Sequence, residues 1–131
     1  MFMVITLWGW CSCGRVGAAD LVYPTGSLAT NQTSATTSAN TVQVNGATAL
    51  YVEYVIDSGT ATIELQQKLK NGTNYQTVSG SSQSSETILK IDNPAGTFQA
   101  EVTACSSCDV SVIYQAAYQK QWHRQHDAQN P

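Results

Sequence analysis

Charge is what this sequence has least of. Charged residues make up 11% of its 131 residues, against roughly a quarter in an ordinary soluble domain, and Ser, Thr, Asn and Gln take up much of the surface that charges would otherwise fill. The six Lys and Arg residues form no cluster and the formal net charge is −3. The chain therefore lacks the electrostatic footprint for a phosphate backbone or an anionic membrane, and neither nucleic acid nor a membrane is an expected partner. The apolar stretch at residues 1–10, MFMVITLWGW, falls far short of the ~20 residues that cross a bilayer as a helix. It also lacks the basic segment of a secretion signal, although Gly17-Ala18-Ala19 offers small residues of cleavage-site type. A chain of this length fits one core, since a self-sufficient core needs on the order of 100 residues.

Groups that could do chemistry are equally scarce. The two histidines, His123 and His126, stand beside Asp127 in a polar tail, where a solvated role is the simplest. There is no Gly-rich phosphate loop, nucleophile elbow or metalloprotease helix pattern. Asp57, Glu64, Glu86 and Glu101 are spread over separate predicted strands, at positions that suit solubilising charge. Catalysis needs such groups to converge on one pocket, so the expectation is a protein that is not an enzyme and holds no cofactor.

Four cysteines stand in two close pairs, Cys11/Cys13 and Cys105/Cys108. Short spacings let two sulfurs reach one ion, so the four could form a tetrahedral zinc site. A disulfide, within the second pair or between the pairs, competes with that reading, as do free buried thiols. The spacing alone leaves all three open.

Strand signal fills the body of the chain. Residues 48–56 place Leu50, Val52, Tyr54 and Ile56 on one face, with Tyr51 and Val55 on the other. Residues 60–70 alternate more cleanly, Ala61, Ile63, Leu65 and Leu69 against Thr62, Glu64, Gln66, Lys68 and Lys70. Asn71-Gly72 then predicts a tight hairpin turn with positive φ angles, returning through residues 73–78. A short strand at 87–91 stops at the turn cluster Asp92-Asn93-Pro94-Ala95-Gly96. Two further runs, Phe98/Ala100/Val102/Ala104 and Val110/Val112/Tyr114/Ala116, predict a second hairpin closed by the Cys105 to Cys108 loop. With residues 42–44 this makes about seven strands and no helix, the pattern of an all-β fold built as an antiparallel β-sandwich, jelly-roll or Ig-like. A partly open barrel is the alternative.

The remainder divides by composition. Residues 1–40 read as an N-terminal arm and Ser/Thr-rich linker, with the tract at 27–40 having little to bury. Residues 41–118 read as the sandwich and 119–131 as a short tail. All three tryptophans, Trp8, Trp10 and Trp122, lie outside the strand body, and large aromatics outside a core are favoured anchors for a partner surface. Together with Tyr118 they are the candidate partner-binding residues; covering the chain's own sheets is the competing role.

The runs Tyr51-Val-Glu-Tyr-Val-Ile, Ser58-Gly-Thr-Ala-Thr-Ile-Glu-Leu, Asn71-Gly-Thr-Asn-Tyr, Asp92-Asn-Pro-Ala-Gly-Thr-Phe-Gln-Ala-Glu-Val and Val110-Ser-Val-Ile-Tyr resemble small β-sandwich virion proteins of tailed bacteriophages. The resemblance covers about residues 48–116. It implies a structural role in the particle: a capsid cement or decoration protein on the virion surface, bound between major capsid subunits and often trimeric. Two other roles stay open, a neck, tail or fibre protein and a carbohydrate-binding sandwich with Tyr51, Tyr75 and Tyr114 as its platform.

Overall fold

The computed structural model describes residues 21–119. Among them the chain is all-β, with seven strands paired antiparallel and no helix: β1 (Leu21–Val22), β2 (Thr25–Gln32), β3 (Val42–Gln43), β4 (Ala49–Lys68), β5 (Gln76–Thr77), β6 (Thr87–Asp92) and β7 (Thr97–Gln119). Two of them dominate. β4 and β7 pair along almost their whole lengths, from Ala49 opposite Ala117 to Lys68 opposite Thr97. The short strands line the outer edges of this ribbon. On β4, β6 covers residues 49–54 and β5 covers Gln66 and Gln67. On β7, β2 and β1 cover the C-terminal part, and β3 covers Phe98 and Thr97.

The alternation read from the sequence is what drives these pairings. Leu50, Val52, Tyr54, Ala61, Ile63 and Leu65 of β4 are buried, as are Phe98, Ala100, Val102, Val110, Val112 and Ala116 of β7, and all belong to one core. Along β4 the buried positions change from even to odd between Tyr54 and Ala61. With a side-chain period of two, one residue slipping out of the pairing moves every later side chain to the other face, and the register shifts on both sides of Ser58 supply that slip.

These irregularities correct the strand boundaries. Asp57-Ser58-Gly59 and Cys105 to Cys108 are not turns between separate strands; they lie across from each other within β4 and β7. No second hairpin closes at the cysteines. Gly59 has φ +68°, and the backbone carbonyl oxygens of Ser106 and Ser107 occupy the space a Cβ there would need.

The ribbon also turns back on itself. Extended straight, the chain from Tyr54 to Leu65 would span about 36 Å at the ordinary rise of a strand. Yet one residue, Ser81, joins the two: the Tyr54 hydroxyl donates to the Ser81 carbonyl at 2.9 Å, and the Leu65 amide donates to Ser81 Oγ at 3.1 Å. Ser81 Oγ in turn donates to the Val78 carbonyl at 2.6 Å. The two halves of the ribbon therefore face one another across the core.

Burial pushes the Tyr54 phenol well above its ordinary pKa, against the opposing effect of its hydrogen bond to Ser81. In the unfolded chain the phenol ionises near ~10, so this contribution to stability is complete below that pH and is lost as pH rises through the folded-state value. Stability should fall above about pH 10 by up to about 1.4 kcal/mol per pH unit. Tyr54→Phe should remove that slope and, by leaving the Ser81 carbonyl unpaired, cost about 1–3 kcal/mol at neutral pH. Urea unfolding of both proteins across that range measures the two effects.

Two further expectations need correction. The hairpin after β4 exists, but neither Asn71 nor Gly72 takes positive φ. Instead the Gly72 amide donates to the Leu69 carbonyl at 2.8 Å, a four-residue turn with glycine at its favoured last position. Because β4 ends at Lys68, Leu69 leaves the core face and is 58% exposed.

The tract at 27–40 is not simply a linker. Its first residues belong to β2, where Leu28 and Ala29 are buried in the core. Its later residues run along β7, with Thr37 bridging to Glu101 and the Val102 amide donating to the Thr36 carbonyl at 3.0 Å.

Candidate functional site

The pleat that sends Leu50, Val52 and Tyr54 inward sends Tyr51 and Glu53 outward, and the antiparallel register aligns them with their neighbours in two rows. One row runs Ile88, Glu53, Ile113, Ser27; the next runs Lys90, Tyr51, Gln115, Thr25. Between them lies a groove of about 430 Å³, to which Tyr23 adds a wall beside β2. Ile88 is 66% exposed, Tyr23 49% and Ile113 40%. Isolated surface isoleucines are ordinary, but a group of them with two tyrosines in one concave face is the composition of a contact surface.

The polar groups here are uncommitted. Among the described residues, the Glu53 carboxylate and the Gln115 amide make no hydrogen bond. Lys90 stands at the rim, 6.0 Å from the Tyr51 ring centre and 3.5 Å from the Asp92 carboxylate. Both members of that ion pair are exposed, so it adds little stability.

The outward side chains on the other half of the ribbon contrast with this. There the Gln66 amide donates to Glu64 at 2.9 Å and to Glu101 at 2.7 Å, Gln99 donates to Gln66 at 2.7 Å, and Thr77 donates to Glu64 at 3.0 Å. That surface has closed its hydrogen bonds within the chain, whereas the groove has not.

Of the residues singled out from sequence, Trp8, Trp10, Trp122, Cys11, Cys13, His123 and His126 lie outside the described residues. Tyr118 is half-buried against the chain's own core, opposite Val22. Cys105 and Cys108 are joined in a disulfide, which settles the local pairing and corrects the four-cysteine zinc site, because neither sulfur is left as a thiolate. Among the described residues no other group of three or more His, Cys, Asp or Glu is placed to hold a metal ion.

The three tyrosines do not make one platform. Tyr51 and Tyr114 both border the groove, but Tyr114 packs over Gly26, its cross-strand neighbour. Tyr75 lies at the far end of β4, 5.1 Å from Lys68 Nζ. Sequence reasoning missed Tyr23, Ile88 and Ile113. Ile88 and Ile113 are detectable as the outward neighbours of Leu89 and Val112, while Tyr23 lies within residues 1–40, which read as an N-terminal arm and linker.

No family model matches this chain, and no curated protein matches its sequence. The fold does have a counterpart: it is similar to the crystal structure of the SPBc2 prophage-derived protein YomS, with a TM-score of 0.62 and 18% identity over 76% of this chain and 96% of that one. What the two share is the fold, over nearly the whole length of YomS.

Proposed function

We propose that this chain is a structural protein of a tailed-bacteriophage particle, a cement or decoration protein that sits on the shell between major capsid subunits and stabilises it. The observation that carries the reading is the outward face with Tyr23, Tyr51, Ile88 and Ile113 open to contact, on a fold shared with a protein described as prophage-derived. The strand motifs that resemble small virion proteins support it. So does the nearly uncharged surface, which leaves few charges to be paired when the module sits against a protein lattice; Glu53, on the contact face, is one that the partner has to satisfy. In this reading the partners are the major capsid protein and further copies of the chain, arranged as a trimer, and the location is the capsid surface.

A second reading draws on the same groove: Tyr51 with the free Glu53 and Gln115 offers a ring and planar polar groups to a sugar. Particles assembled without the chain, and the same particles supplied with it, separate the two. A cement protein should raise the temperature at which the shell releases its genome, and adding purified chain should restore the resistance of depleted particles. Equal heat resistance with and without it would remove the cement role.

A further inference from the structure

We propose that the outer edge of β6 pairs antiparallel with the same edge of a second copy of this chain, centred on Ile88. The proposal goes beyond a place on the capsid, because it concerns how purified copies recognise one another.

The ladder fixes which backbone groups of β6 are free. Along a strand in an antiparallel sheet, the N–H and C=O of one residue point to one neighbour and those of the next residue to the other. The Asn93 amide donates to the Thr48 carbonyl at 3.0 Å, and the Ile56 amide donates to the Glu86 carboxylate at 3.0 Å, both on the β6 side of β4. On β7 the Ala116 amide donates to the Pro24 carbonyl at 2.9 Å, so Tyr114 faces β2 while Ile113 and Gln115 face β4. Both observations give the same alternation. Leu50, Val52 and Tyr54 bond Ile91, Leu89 and Thr87, and the backbone groups of Ile88, Lys90 and Asp92 point away from the sheet. Among the described residues no strand pairs with β6 on that side.

The other edges are blunted. β2 is broken by two register shifts, and Asn40 bonds the carbonyls of Ser27 and Leu28. β3 and β5 are two residues long. β6 runs six residues along β4 with no shift and no proline. A regular free edge is a template for another strand.

Charge selects a second copy and the register. Centring a two-fold pair on Ile88 sets Ile88 opposite its twin, Lys90 opposite the partner's Glu86, and Glu86 opposite the partner's Lys90. Ile88, at 66%, is the most exposed large hydrophobic side chain among the described residues; the pair covers it and places an opposite-charge pair on each flank. Glu86 accepts from Ile56 through one carboxylate oxygen and keeps the other. Centring on Lys90 would oppose that lysine to itself, and centring on Leu89 would set Glu86 against the partner's Asp92, both like-charge pairs. Centring on Ile91 matches Lys90 with Asp92, but leaves Ile88 uncovered and runs the partner into Asn93, whose φ of +47° ends the strand. The contact uses one surface twice and closes at two copies. On a shell it would join copies that belong to neighbouring trimers.

The test uses the full chain. Lys90→Glu and Glu86→Lys each set like charges across both flanks. Ile88→Pro removes an N–H that β4 does not use, a place where an edge strand tolerates proline. The contact is small, so light scattering must run from micromolar to millimolar chain. The unsubstituted chain should pass from its 14.1 kDa monomer mass to twice that value. Each charge variant should dimerise about tenfold more weakly or worse, and Ile88→Pro should stay monomeric. Mixed together, the two charge variants should pair as tightly as the unsubstituted chain, since one edge then carries two glutamates and the other two lysines. Thermal melting checks that each variant is folded; if Glu86→Lys is not, having lost its bond to Ile56, Lys90→Glu and Ile88→Pro decide the matter. The proposal is overturned if the unsubstituted chain stays monomeric throughout, if it associates to a mass that these variants leave unchanged, or if the mixture pairs no better than either variant alone. Dimerisation kept by Glu86→Lys and lost by Lys90→Glu would place Asp92 in the contact and overturn the register centred on Ile88.

Discussion

Gly59→Ala is expected to destabilise the protein by about 3–5 kcal/mol, in the range reached only by severe backbone or core defects. An L-residue at φ +68° costs roughly 1–2 kcal/mol by itself. The rest comes from contact, because the new methyl would overlap the carbonyl oxygens of Ser106 and Ser107, and backbone across a paired strand cannot swing aside as a side chain can. Gly46→Ala isolates the first effect: Gly46 has φ +85° with open space around its missing Cβ, so it should lose only about 1–2 kcal/mol. Urea midpoints of the two variants measure the difference. Equal losses would mean that β4 and β7 do not approach each other at this point.

The second large effect lies where the composition reads as linker. Leu28→Asp should unfold the protein or cost on the order of 5 kcal/mol, because Leu28 is fully buried in the core and a carboxylate there has neither water nor a cation. Thr30→Asp, exposed on the same strand, should change stability by no more than about 0.5 kcal/mol. A linker would tolerate both alike.

These two positions also mark where sequence periodicity stops being informative. It finds the inward faces of β4 and β7, because Leu50 to Tyr54 and Phe98 to Val102 alternate over ordinary paired strand. It fails at Gly59 and at the cysteines, because residues typical of turns are used here for facing bulges inside long strands. It fails again at β2, where a register shift between Ser27 and Ala29 buries the adjacent Leu28 and Ala29, a pattern that no period of two contains. The polar residues after β2 then stand in for sheet bonds: Asn40 Nδ2 donates to the Ser27 carbonyl at 3.1 Å, and Ser38 Oγ accepts from the Ala100 amide at 3.1 Å. Composition sees only their polarity.

The candidate site was partly legible for the same reason. Tyr51 and Glu53 follow from the alternation of β4, but their neighbours Ile88 and Ile113 come from strands far away in sequence, and only the register of β6 and β7 against β4 assembles the rows. The aromatic residues picked out at the two ends, Trp8, Trp10 and Trp122, belong to segments outside the described sheet.

A density map of the intact particle tests the functional reading most directly. The expected result is the sheet body on the outer shell at junctions between major capsid subunits, in copies that follow the icosahedral lattice, with the face bearing Ile88 and Ile113 against protein. A particle without this chain, a handful of copies on the neck or tail axis, or a lattice of copies with that face open to solvent would contradict it.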